Sequence, residues 1–223
     1  MKKFLTAVAV AMLVSFAPQA NAATVQYQLN QSASNGTGPF GTITLTDVTG
    51  GVNVYLTLDS GYYFAVTGAG FSLTFNLDSN PQPSYTAITD ITTGFYAVDP
   101  STQVQSSIKA GPGNQVWGYA VQCDTPLSAG MPCNSGGSTL NSQGPLSFMV
   151  NGVTTANFSA NSLGYFSSDI YSSGANGGQG ATFVVWTNDP GIHINETPEP
   201  MSMSLLGLGL IGLGVMKRYK SRS

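Results

Sequence analysis

Residues 41–58 read GTITLTDVTGGVNVYLTL, and this stretch decides the fold class. Ile43 and Leu45 alternate with threonines, and Val52, Val54, Leu56 and Leu58 alternate with Asn53, Tyr55 and Thr57. A period of two places one set of side chains on one face of a pleated strand. Two strands are therefore expected, joined by the turn Thr49-Gly50-Gly51. The same alternation returns in Phe71, Leu73, Phe75 and Leu77, and again in Leu146, Phe148 and Val150. Segments 24–29, 62–66, 95–98, 116–121 and 182–187 are β-branched or aromatic and also read as strands. Turn signals separate them at Asp59-Ser60-Gly61, Asp78-Ser79-Asn80-Pro81, Gly111-Pro112-Gly113 and Asn176-Gly177-Gly178. Many short strands and no long 3.6-period segment predict an all-β body, an antiparallel β-sandwich or a jelly-roll-like arrangement. One short helix is expected near residues 155–161, and no internal repeat suggests a propeller or solenoid.

Outward from this body, the first 22 residues read MKKFLTAVAVAMLVSFAPQANA. Lys2 and Lys3 lead an apolar run from Phe4 to Phe16, and Ala20-Asn21-Ala22 forms a small-residue cleavage site ahead of Ala23. The run is short for a membrane span, so a cleaved signal helix is expected rather than an N-terminal anchor. Three segments follow: a signal peptide over 1–22, one β-domain over 23–195, and a tail over 196–223.

Charge is segregated along the chain. Six of the seven basic residues lie in the terminal segments, which leaves Lys109 alone against all ten acids between Ala23 and Pro200. Binding to a phosphate backbone requires many lysines and arginines to displace counterions, so nucleic acid is excluded as a partner, as is electrostatic adhesion to anionic lipid. Gly, Ser, Thr, Asn and Tyr dominate instead, giving a surface of neutral hydrogen-bonding groups that suits carbohydrate surroundings and is equally ordinary for a secreted β protein.

Cys123 and Cys133 enclose the loop-like stretch CDTPLSAGMPC. In an exported chain they are expected to form a disulfide, because metal ligation wants further Cys or His nearby and none is present. Closing so short a loop contributes about 2–3 kcal/mol.

The tail meets three physical requirements in order. Pro198 and Pro200 stiffen the backbone and present Glu199 in an extended peptide. Met201 to Met216 is 16 residues, about 24 Å as a helix against a hydrocarbon core of about 30 Å, and four glycines weaken it. Lys217, Arg218, Lys220 and Arg222 would hold the C-terminus inside, leaving the body outside the cytoplasm. The arrangement resembles the PEP-CTERM sorting domain of exopolysaccharide-producing Gram-negative bacteria, over roughly the last 26 residues. The resemblance implies a membrane-processing partner, exosortase, which cleaves near Pro198-Glu199-Pro200. The body would be anchored transiently at the inner membrane, then passed to the cell surface or the exopolysaccharide matrix. The competing reading is a plain tail anchor whose prolines end the domain.

Within the body, Trp117-Gly118-Tyr119-Ala120-Val121 with Cys123, Gly144-Pro145-Leu146-Ser147-Phe148, Gly164-Tyr165-Phe166 with Asp169-Ile170, and Asn176-Gly177-Gly178 resemble uncharacterised domains found upstream of such tails. That resemblance implies no activity.

Catalytic equipment is sparse. His193 is the only histidine and reads as linker, so a Ser-His-Asp triad lacks a rigidly held base. Zinc sites want several His or Cys ligands, and no D-x-[DN]-x-[DN]-G calcium loop appears, although loop carboxylates leave calcium open. Glu196 and Glu199 belong to the tail, and most aspartates stand in turn contexts where they cap local backbone. Asp90 and Asp169 do not, so an Asp-dependent hydrolase would need these two side by side in a cleft. The expected protein has no catalytic residues, metal or cofactor, and is a structural component of the surface or matrix. The alternative is a carbohydrate-binding module that stacks sugar on Tyr62, Trp117 and Tyr165, against the plain reading that such rings fill the core.

Overall fold

The computed structural model describes residues 22–33, 37–65, 71–79, 81–99, 101, 108–123, 144–172 and 181–194. The signal peptide, the tail with Pro198, Glu199 and Pro200, and Cys133 lie outside the described residues. Among the described residues no helix is long and apolar enough to cross a membrane.

Fifteen strands occur among the described residues. They are β1 (Thr24–Ser32), β2 (Thr37–Val48), β3 (Gly51–Leu58), β4 (Tyr62–Phe64), β5 (Leu73–Leu77), β6 (Ile88–Thr89), β7 (Phe95–Ala97), β8 (Ile108–Ala110), β9 (Gln115–Trp117), β10 (Tyr119–Cys123), β11 (Leu146–Asn151), β12 (Phe158–Ser159), β13 (Phe166–Ser172), β14 (Ala181–Trp186) and β15 (Ile192–Ile194). The main sheet runs β6-β11-β3-β2-β1-β14-β13-β5-β10-β7, with β12, β15 and β4 paired beside this path, and β8 and β9 form a separate hairpin. The fold is all-β and every pairing is antiparallel.

The stretch 41–58 forms the hairpin that its alternation predicts. Ile43 pairs with Leu56 and Leu45 with Val54, and all four are fully buried. Val48 pairs with Gly51, which leaves Thr49 and Gly50 as the turn, and Gly50 takes the φ of +93° that a side chain would resist. Gly51 itself belongs to β3. On the outer face, Gln28 donates to Thr42 (3.0 Å) and Gln26 to Thr44 (3.3 Å), so neutral pairs tie β1 to β2.

One core takes side chains from both wings of the path, including Val25, Leu45, Phe75, Val121, Phe148 and Ile170. Phe75 on β5 and Phe148 on β11 stack with ring centroids 5.8 Å apart, although their strands lie far apart along the path. The sheet therefore curls until its wings face each other. Burial at roughly 25 cal/mol per Å² of apolar surface is the main force holding this arrangement.

A second, smaller cluster packs Ile108, Ala110 and Trp117 of the β8–β9 hairpin against Phe71, Val98 and Ala120. The hairpin thus covers the outer face of the sheet around β5, β10 and β13, and this region is buried on both sides. Its polar residues are correspondingly satisfied within the protein. The hydroxyls of Thr74 and Ser167 lie 2.6 Å apart, and Ser168 Oγ donates to the carbonyl of Ser72 at 2.7 Å.

Three expectations change. Residues 116–121 form two strands, because Gly118 breaks the run: β9 pairs with β8, whereas β10 pairs with β5 and β7. The helix expected at 155–161 is a single 3-10 turn at Thr155–Asn157 followed by β12. His193 is not in a linker; it sits at the centre of β15, opposite Val25, with its side chain exposed.

Candidate functional site

The hairpin that covers β13 leaves a cleft along one side. Strand β13 reads FSSDIYS, so Phe166, Ser168 and Ile170 share one parity and Ser167, Asp169 and Tyr171 the other. Phe166 and Ile170 belong to the main core. Ser167 and Asp169 line a cavity of about 300 Å³ together with Phe71, Lys109, Ala110, Gly111, Asn114, Thr182 and Val184. Its far wall is the β8–β9 turn. Gly111, Gly113 and Asn114 all take positive φ there, and the Asn114 N–H closes on the Gly111 carbonyl at 3.1 Å.

Asp169 is 5 % exposed. Its backbone is fixed from both directions: its N–H donates to the Phe71 carbonyl (2.9 Å), and its carbonyl accepts from the Ala65 N–H (3.1 Å). Lys109, the one basic residue between the two termini, is half-buried on the facing hairpin. One charge of each sign thus enters a single concave space, beside the hydroxyl and amide groups of Ser167, Thr182 and Asn114 and an apolar wall of Phe71, Ala110 and Val184.

No protein family, curated protein or solved structure matches this chain.

The two aspartates that turn chemistry leaves unexplained do not meet. Asp90 is exposed in a left-handed turn residue (φ +51°) after β6, and it does not line the cleft that holds Asp169. The carboxylate pair that a glycosidase needs is not assembled by these two residues. Asp99 caps local backbone as expected: it accepts from the hydroxyl (2.7 Å) and the N–H (2.8 Å) of Ser101, and these bonds lower its pKa. Asp47 departs from that pattern. It reaches across the fold to accept from the Thr155 N–H (2.7 Å) and hydroxyl (3.3 Å), pinning the 3-10 turn to the end of β2. No group of three or more metal-ligating side chains occurs among the described residues.

The three rings considered for sugar stacking fall elsewhere. Trp117 is 2 % exposed and its Nε1–H donates to the Ala110 carbonyl (3.3 Å), so its ring is an anchor of the second core with no open face. Tyr62 packs edge-on against Phe40 (5.3 Å) and Phe183 (6.3 Å), and Tyr165 lies 5.0 Å from Tyr27; both are half-buried. None of the three lines the cleft. Burial pushes the Tyr27 phenol up to about 12, with the neighbouring Tyr165 adding to the shift.

A wider depression of about 640 Å³ lies between Asp78, Gln82, Asn151 and Asn157. Its amides already serve the fold, Gln82 donating to Leu77, Asn151 to Ala87 and Asn157 to Asp78. Ser79, also in its lining, has a buried Oγ with no hydrogen-bond partner. Sequence reasoning singled out Asp169 but not its surroundings, because Lys109, Asn114 and Thr182 lie far from it in the chain and carry no shared motif.

Proposed function

We propose that the protein is exported and sorted by exosortase to the cell surface or extracellular matrix, where it serves as a structural component without enzymatic activity. One observation carries the proposal: Pro198-Glu199-Pro200, a 16-residue apolar segment and the basic end Lys217, Arg218, Lys220 and Arg222 follow one another directly. A stiff extended peptide offers a protease a defined shape, and a segment this short and glycine-rich makes a temporary anchor. The signal sequence ending at Ala20 and Ala22 supports export ahead of Ala23. Both ends of the body lie together, since Thr24 pairs with Ile194, so a tail leaving after β15 departs beside the start of β1.

Within this proposal the body is a β-sandwich of jelly-roll-like form, supported by the stacking of Phe75 on Phe148 between the wings. Cys123, buried at the end of β10, is bridged to Cys133.

The test is the double substitution Pro198→Ala, Pro200→Ala in the producing cell. An uncleaved, membrane-retained form is expected by fractionation and blotting. Normal release of that variant, or recovery of mature protein intact through Ser223 by mass spectrometry, rejects exosortase sorting.

A further inference from the structure

We propose that the cleft between the β8–β9 turn and the outer face of β13–β14 binds a neutral sugar unit. The inference does not depend on how the protein is sorted. A space of about 300 Å³ stands at the lower end of small-molecule sites and accommodates a single sugar ring. Its lining combines apolar surface from Phe71, Ala110 and Val184 with polar groups from Lys109, Asn114, Ser167, Asp169 and Thr182. A sugar ring has the same division, with hydroxyls around its edge and C–H groups on its faces.

The charges narrow the ligand further. Asp169 and Lys109 carry opposite charges, so the cleft gives neither an anion nor a cation a net attraction. A hydroxyl suits both residues, because it donates to a carboxylate and accepts from an ammonium. A zwitterion such as an amino acid matches the two charges, but it leaves the Asn114 and Thr182 groups without counterparts.

Pre-organisation favours the site as well. The backbone of Asp169 is held on both sides by β-type hydrogen bonds, and Trp117 anchors the opposite wall through its bond to Ala110. Little ordering is left for a ligand to impose, which removes one of the usual costs of binding.

The experiment titrates the isotopically labelled full chain, purified in a sugar-free zwitterionic detergent, with glucose, galactose, mannose and N-acetylglucosamine. Amide shifts are followed by two-dimensional NMR, with glycine as the zwitterionic control. At least one sugar is expected to give saturable shifts at residues 109–114, 167–171 and 182–184. Asp169→Asn should weaken its binding roughly tenfold or more, the scale of a hydrogen bond to a charged group. Thr182→Val, on the half-buried rim, serves if Asp169→Asn fails to fold, and should weaken binding about threefold or more. Thermal melts of each variant separate lost binding from lost structure. The proposal is overturned by no saturable shift with any of the four sugars, by shifts confined to other residues, by unchanged affinity in folded variants, or by equal shifts with glycine.

Discussion

The carbonyl of Thr187 occupies the place that a side chain on Gly164 would need, and Gly164 holds a φ of +142°. Thr187 is wholly buried, and its hydroxyl accepts from the N–H groups of Tyr165 (3.0 Å) and Phe166 (3.2 Å). This contact sets the entry of β13 against the end of β14. Gly164→Ala should therefore destabilise the fold by about 3 kcal/mol or more, through forbidden backbone and a steric clash together. Chemical denaturation measures it, and a loss below about 1 kcal/mol would mean that the two segments separate freely.

Asp47 acts at a distance in the same way. Removing its carboxylate leaves the N–H of the buried Thr155 without an acceptor. Asp47→Ala should cost about 1–2 kcal/mol, and Asp47→Asn clearly less because one acceptor oxygen remains. Equal urea midpoints for the three proteins would contradict the capping role.

Alkaline pH provides a third measurement. The Tyr27 phenol ionises at about 12 in the fold against an ordinary value of 10.0, chiefly because burial disfavours the phenolate. The unfolded chain releases this proton first, so the associated stability is complete below pH 10 and is lost as pH rises through 12. Two units correspond to about 2–3 kcal/mol. The stability gap between wild type and Tyr27→Phe should shift in favour of Phe across that interval, and a gap independent of pH would rule out burial as the cause.

The proposed Cys123–Cys133 bridge has its own readout. Intact mass of the exported protein should rise by two hydrogens on reduction, and Cys133→Ser should lower stability by about 2–3 kcal/mol. An unchanged mass after reduction would remove the bridge.

Legibility followed exposure. The hairpin 41–58 could be read because one face of each strand is buried and the other meets solvent, which imprints a period of two on the residues. Strand β13 carries no such imprint. Covered by the core on one side and by the β8–β9 hairpin on the other, its first five residues are all buried, and the hydroxyls of Ser167 and Ser168 are tolerated because Thr74 and the Ser72 carbonyl partner them. Strand β8, only three residues long, escaped for want of length. Trp117 could be recognised as important but not assigned a face, since the break at Gly118 that turns it towards the second core appears only in the pairing of the strands. The cleft joins the β8–β9 turn to β13 and β14 across about 55 residues of chain, so Asp169 and Lys109 stood out singly but their meeting was not legible.

The short strand β15 has a mechanical consequence. Pulling on the chain beyond Ile194 loads a strand held by three residue pairs, and the load arrives at the end where Thr24 faces Ile194. Pairs strained in that direction open in succession instead of sharing the force. Tension therefore peels β15 from β1 before it reaches the long β1–β2–β3 ladder, so β15 acts as a fuse that yields while the rest of the body keeps its shape.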